Sequence, residues 1–118
     1  IKNRKKLFLT YKKHLNHNKF KIQTVRSNID FVPWTLAIKV SNKFTQKKRN
    51  NIIAILHKRG IETRNGFYAP SELPIYPNKN LPNCLMLSRR IICLPFYEGL
   101  SDSKIKYICS TLERVAKK

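Results

Sequence analysis

Residues 60–76 read GIETRNGFYAPSELPIY and hold most of what could do chemistry in this chain. Arg64 offers a planar fork of donors, the group best matched to a carboxylate or a diphosphate. Phe67 and Tyr68 follow with flat apolar faces and one polar tip, surfaces on which a ring can lie. Ser71 adds a hydroxyl, and Glu62 and Glu72 add carboxylates. Trp34, the only tryptophan, stands upstream in FVPWTLAIKV. Each also has a plainer reading. Arg64 fits a surface charge at a strand end, Trp34, Phe67 and Tyr68 fit core or domain-interface packing, and Tyr76 fits packing.

Metal and thiol chemistry are not indicated. Cys84, Cys93 and Cys109 are odd in number and show no CxxC spacing. His14, His17 and His57 share no ligand spacing with them. The three read as buried free thiols of a reducing compartment.

The charge is extreme: 25 Lys and Arg against 6 Asp and Glu, formally +19. Nucleic acid is the first partner such a balance suggests. The cations, however, are spread from Lys2 to Lys118 with no base-reading motif, and abundant Lys, Asn and Ile match A/T-rich codons. The charge therefore reads as a solvated surface, with any nucleic-acid binding non-specific and salt-dependent. A basic nucleic-acid-binding module is the alternative reading. No apolar run has the length of a membrane span, and the basic start IKNRKKLFLTYKK is no secretory signal. The reading is cytoplasmic, with no membrane partner. Residue 1 is Ile and Met86 is the only methionine, so we expect a piece of something longer, a processed product or a trimmed fragment.

The elements that must position these residues follow from periodicity. Leu7, Tyr11 and Leu15 predict a helix from Asn3 to about His17, with Phe8 beside them. NHNKFKIQ breaks the pattern. In Phe31–Val40, the shared parity of Trp34, Leu36, Ile38 and Val40 predicts a half-buried strand, with Pro33 near a sheet edge. A helix follows, capped by Ser41, Asn42 or Thr45, apolar at Ile52, Ile53 and Leu56, and ended by Gly60. Ile61–Arg64 predicts a short strand. Pro82 opens another helix with Leu87 and Ile91 on one face, and residues 91–94 could close as a short strand. Ser101 or Asp102 caps a last helix whose stripe is Ile105, Ile108, Cys109, Leu112 and Val115. The 118 residues suffice for one α+β domain, a small sheet with helices packed mainly on one face.

An ordered series of signposts adds to this: Gly60-Ile61-Glu62-Thr63-Arg64, Gly66-Phe67-Tyr68, Pro74-Ile75-Tyr76, Leu81-Pro82, Leu94-Pro95 and Gly99-Leu100-Ser101. Over residues 4–117 the series resembles the C-terminal small domain of the DegT/StrS family of pyridoxal-phosphate-dependent sugar-nucleotide aminotransferases, of the perosamine-synthase type. The resemblance implies that residues 1–118 are a C-terminal small domain like that of fold-type I aminotransferases, without the large domain that binds the cofactor. It implies a parent that moves an amino group from glutamate to a keto-sugar nucleotide for cell-surface polysaccharides, acting as a homodimer. Pyridoxal phosphate belongs to that parent, and none is expected on this chain alone. No catalytic residue is assigned. Lys19 lies after the first small-domain helix, far from the family's lysine position, so the isolated chain should be inactive. Arg64, Phe67, Tyr68, Ser71 and Trp34 are the substrate-binding residues the resemblance implies. Ser71 stands where the family often has histidine, and Leu85 where it often has glutamate. The sheet face away from the helices should be apolar, as a docking surface for the missing domain. A third reading is a structural or regulatory partner docking on an intact aminotransferase.

Overall fold

The computed structural model describes residues 1–41, 43–76 and 80–117. It contains α1 (Lys2–His14), β1 (Phe20–Ile22), β2 (Leu36–Val40), α2 (Gln46–Lys58), β3 (Arg64–Asn65), a 3₁₀ turn (Pro70–Glu72), α3 (Pro82–Ser88), β4 (Ile91–Leu94) and α4 (Asp102–Lys117). The four strands form one antiparallel sheet in the order β1-β2-β4-β3.

Strand alternation sets the two faces. Leu36, Ile38 and Val40 of β2 lie opposite Leu94, Ile92 and, in β1, Phe20, and all six are buried. Against this face pack Leu7, Tyr11 and Leu15 of the α1 region, Ile52 and Leu56 of α2, and the stripe of α4. Burying that much aliphatic surface is the main stabilising contribution. Tyr11 is fully buried because its hydroxyl donates to the Pro95 carbonyl oxygen at 2.7 Å.

The helices are punctuated as physical chemistry requires. Thr45 Oγ1 accepts the Lys48 amide at 3.2 Å and starts α2. Gly60, at φ +74°, ends it. Its amide reaches the His57 carbonyl and the Ile61 amide reaches the Leu56 carbonyl, both at 3.0 Å, which is the Schellman pattern. Asn42, the other cap considered with Ser41, lies outside the described residues. Asp102 opens α4 and Arg114 and Lys117 close it, each matched to the helix dipole. α1 lacks both a side-chain cap and an acidic first turn, so tertiary packing holds it.

The structure corrects several expectations. The first helix ends at His14, and the segment after it supplies β1, whose three residues are too few to show a period. The strand expected from Phe31 starts at Leu36. Trp34 precedes it, 67% exposed, and its carbonyl is taken by Arg4 Nη1 at 2.8 Å instead of by a neighbouring strand. Of the strand expected at Ile61–Arg64 only Arg64 pairs, with Asn65 beyond it, and Ile91 belongs to β4, not to the helix with Leu87. Cys84 is exposed on α3, which packs on the 3₁₀ turn and buries no residue, while Cys93 is half-buried and Cys109 buried. The sheet face away from the core is apolar only at its centre. Ala37, Ile91 and Cys93 stand there beside Lys21, Lys39 and Arg64. Four large exposed rings, Trp34, Phe67, Tyr97 and Tyr107, line a groove at its edge instead.

Candidate functional site

Pairing β3 with β4 sets Arg64 opposite Cys93, on the side away from the helices. Two residues on, position 66 must be glycine. A Cβ at Gly66 would stand 2.8 Å from Ile91 Cγ2 and 2.9 Å from Ile91 Cβ. This close approach keeps the chain against β4 and turns Phe67 outward, 81% exposed. Phe67 meets Trp34 there, ring centroids 6.3 Å apart and planes tilted by 38°. Trp34 is fixed from behind by its carbonyl bond to Arg4 and by fully buried Pro33.

Across from these rings stand Tyr97, Lys104 and Tyr107. The turn that carries Tyr97 closes through Gly99 at φ +87°, a conformation that favours glycine. The Tyr107 hydroxyl donates to the Arg59 carbonyl oxygen at 3.4 Å, linking α4 to the end of α2. The enclosed groove measures about 850 Å³, within the range of small-ligand sites. Arg64 Nη2 lies 3.1 Å from Glu62 Oε1, and both side chains are open to water. Such a screened pair is weak, so an arriving anion can compete for the guanidinium. The groove therefore combines aromatic walls with two cations, Arg64 and Lys104, and can hold a molecule with a ring and an anionic group.

Of the five residues singled out from the sequence, the structure brings together Trp34, Arg64 and Phe67. Tyr68, exposed, and Ser71, half-buried in the 3₁₀ turn, lie outside the groove. Among the described residues, the Ser71 and Thr63 hydroxyls are buried without a hydrogen-bond partner. Sequence reasoning missed Tyr97, Lys104 and Tyr107. The signal for Tyr107 was a tyrosine on the polar side of an amphipathic helix. It also missed Arg49, which is 3% exposed. Its Nη1 donates to the Ile91 carbonyl oxygen at 2.9 Å. Burial lowers its pKa, and nearby Tyr68 and Glu72 act the other way. Arg49 thus stands between β4 and the loop that follows Phe67. Burial pushes the Cys93 thiol up, against a hydrogen bond from Thr35, so Cys93 is no activated nucleophile. Among the described residues, no group of three His, Cys, Asp or Glu could hold a metal ion.

The fold is shared with solved aminotransferases. The apo form of Spr1654 from Streptococcus pneumoniae, named as a sugar aminotransferase, superposes with a TM-score of 0.89 at 22% identity, over 98% of this chain and 30% of that one. PseC of Helicobacter pylori, an aminotransferase of pseudoaminic acid biosynthesis, gives 0.83 at 19% over 98% and 32%. DesI, solved with its TDP-sugar product, gives 0.79 at 19% over 99% and 31%. The chain thus has an aminotransferase small-domain type of fold and spans about a third of the solved chains it matches. It belongs to the DegT/DnrJ/EryC1/StrS aminotransferase family, whose model matches residues 1–113. No curated protein matches the sequence.

Pyridoxal phosphate, the cofactor of such chemistry, needs a lysine amine, a carboxylate at its ring nitrogen and a phosphate cradle. The groove does not fit it. Its one lysine, Lys104, is exposed on the first turn of α4, and its one carboxylate, Glu62, is exposed and paired with Arg64.

Proposed function

We propose that this chain is the C-terminal small domain of a cytoplasmic, pyridoxal-phosphate-dependent aminotransferase. The parent transfers an amino group from glutamate to a keto-sugar nucleotide and works as a homodimer. The large domain supplies the cofactor-binding lysine and its phosphate site. This chain supplies one wall of the substrate site, and alone it is inactive.

The observation that carries this reading is the groove at the sheet edge, where Arg64 lies beside the exposed Trp34–Phe67 pair. A solitary domain gains nothing from leaving two such rings in water, whereas a domain that meets a substrate and a second domain there does. Arg64 can hold a diphosphate or a carboxylate by paired charge-assisted bonds. The aromatic pair can carry a nucleotide base or sugar, and the exposed Tyr68 can serve from the loop beyond. Family membership and the shared fold support the same assignment. Among the described residues, no helix is long and apolar enough to cross a membrane.

The test is a fusion of this chain to the cofactor-binding portion of the Streptococcus pneumoniae relative. Amination of a keto-sugar nucleotide with glutamate as donor is then followed. Turnover by the fusion and none by either part alone is the expected result. A fusion that folds and binds pyridoxal phosphate but does not turn over any of a panel of keto-sugar nucleotides would sink the reading.

A further inference from the structure

A second cavity lies away from the groove, between α1 and the segment that joins β1 to β2. It measures about 530 Å³, again within the range of small-ligand sites. Its walls are apolar: Phe8, Ile22, Val25, Ile29, Phe31 and Pro33. Phe8 and Phe31 meet edge to face at 5.3 Å, so one ring presents its face and the other its rim.

The charged groups of this cavity are mostly cationic: Lys5, Lys12 and Lys21 line it against one carboxylate, Asp30, with the neutral side chains of Gln23 and Thr24 and the imidazole of His17 beside them. Asp30 is already tied to Lys5. His17 donates from Nε2 to the Lys12 carbonyl oxygen at 2.6 Å, which braces the end of α1 beside the cavity. Among the described residues, Lys12 and Lys21 make no ion pair, and both are exposed. An apolar pocket with two uncommitted ammonium groups does not suit a neutral or cationic ligand. A neutral one leaves the cations unused, and a cationic one is repelled.

We propose that this cavity binds a small amphipathic anion, with an aromatic or aliphatic body against Phe8 and Phe31 and a carboxylate or phosphate between Lys12 and Lys21. The site is separate from the Arg64 groove, shares no lining residue with it, and does not depend on the aminotransferase reading. The charge supplies attraction and orientation, and the apolar walls supply the burial.

The test uses the full 118-residue chain, ¹⁵N-labelled and titrated with 1-naphthyl phosphate, decanoate and neutral 2-naphthol. The two anions distinguish an aromatic from an aliphatic body, and the neutral compound isolates simple greasiness. The expected result is saturable shifts at the Phe8, Ile22 and Phe31 amides with at least one anion, and binding at least tenfold weaker for 2-naphthol. The double variant Lys12→Glu with Lys21→Glu should weaken anion binding at least tenfold while leaving the remaining spectrum in place. Lys12→Gln with Lys21→Gln, a gentler change, should weaken it less. Raised salt should act in the same direction on the unaltered chain. Shifts confined to the Trp34 and Phe67 amides, equal binding of 2-naphthol, or indifference of the folded variants to the loss of both cations would overturn the proposal.

Discussion

The Arg49 Nη1 group holds the Ile91 carbonyl oxygen at 2.9 Å, and the side chain of that same Ile91 lies against the backbone of Gly66. A buried guanidinium in α2 is thereby connected to the residue that turns Phe67 into the groove. Arg49→Ala strands the Ile91 carbonyl and should cost about 1–3 kcal/mol. Arg49→Lys, which can still donate, should recover part of it. Urea unfolding checks both, and an alanine variant of unaltered stability would show that water replaces the contact.

Gly66 and Gly60 separate two reasons for glycine. Gly66→Ala forces a methyl into Ile91 and should destabilise by about 1–3 kcal/mol. Gly60→Ala meets no atom within 4 Å, yet its positive φ should cost about 1–2 kcal/mol. The discriminating measurement is Trp34 emission in the folded state. It should shift in the Gly66 variant, because Phe67 moves, and stay unchanged in the Gly60 variant.

Alkaline pH should loosen the fold. Burial pushes the Cys109 thiol from an ordinary value of 9.0 up to about 12, and the Tyr11 hydroxyl is raised as well, chiefly by burial. Between the unfolded and folded pKa values the unfolded chain has lost a proton that the folded chain keeps. Stability is therefore complete below about pH 9 and falls as pH rises through the window to about 12. Cys109→Ala should flatten the lower part of that decline in denaturation measured at a series of pH values. A decline of unchanged slope would assign it to Tyr11 and to the Cys93 thiol, which burial also raises.

Arg64 should matter to ligands and not to folding. Its partner Glu62 is exposed, so Arg64→Ala should leave the stability of the chain within about 0.5 kcal/mol. In the fused enzyme the same change should raise KM more than it lowers kcat, because a guanidinium orients an anion and gives no proton at neutral pH. Arg64→Lys should restore only part, since an ammonium lacks the planar fork. Equal loss in kcat and kcat/KM would instead place Arg64 in transition-state contacts.

Nucleic-acid binding, if it occurs, should be non-specific and fall steeply as salt rises. Fluorescence anisotropy with unrelated duplexes at several salt concentrations measures this. A preferred sequence that keeps its affinity at high salt would favour a nucleic-acid-binding module.

Much of the fold was legible because α1, α2 and α4 each bury one stripe. α4 repeats its apolar residues with a period that survives any context, and Thr45 and Gly60 mark both ends of α2 in ways that local chemistry alone dictates. The strands were harder. β1 and β3 have three and two residues, too few for alternation to emerge, and β3 exists only because β4 offers it an edge. Trp34 shared parity with the strand after it, but Pro33 and the Arg4 guanidinium claim that stretch first. At the site, Arg64 and Phe67 were legible from residue type and position. Tyr97, from the turn before α4, and Lys104 and Tyr107, from α4 itself, meet the groove's other residues only in the tertiary structure, a relation that no local pattern encodes. Arg49 was invisible for a similar reason: a lysine- and arginine-rich helix start reads as solvated until β4 covers it.

The first and last helices lie side by side, joined near their starts by Asn3 to Glu98 and further along by Asn16 to Glu113 at 3.0 Å. Those bonds span 95 and 97 residues of chain. During synthesis, the stripe of Leu7, Tyr11 and Leu15 emerges well before its cover in α4. Closure of this domain therefore waits on translation, and the early helix must spend that interval partly uncovered, a state that invites association with other chains. Lys2, Lys6 and Lys13 of α1, which form no ion pair among the described residues, are well placed to keep nascent copies apart through mutual repulsion until the last helix arrives.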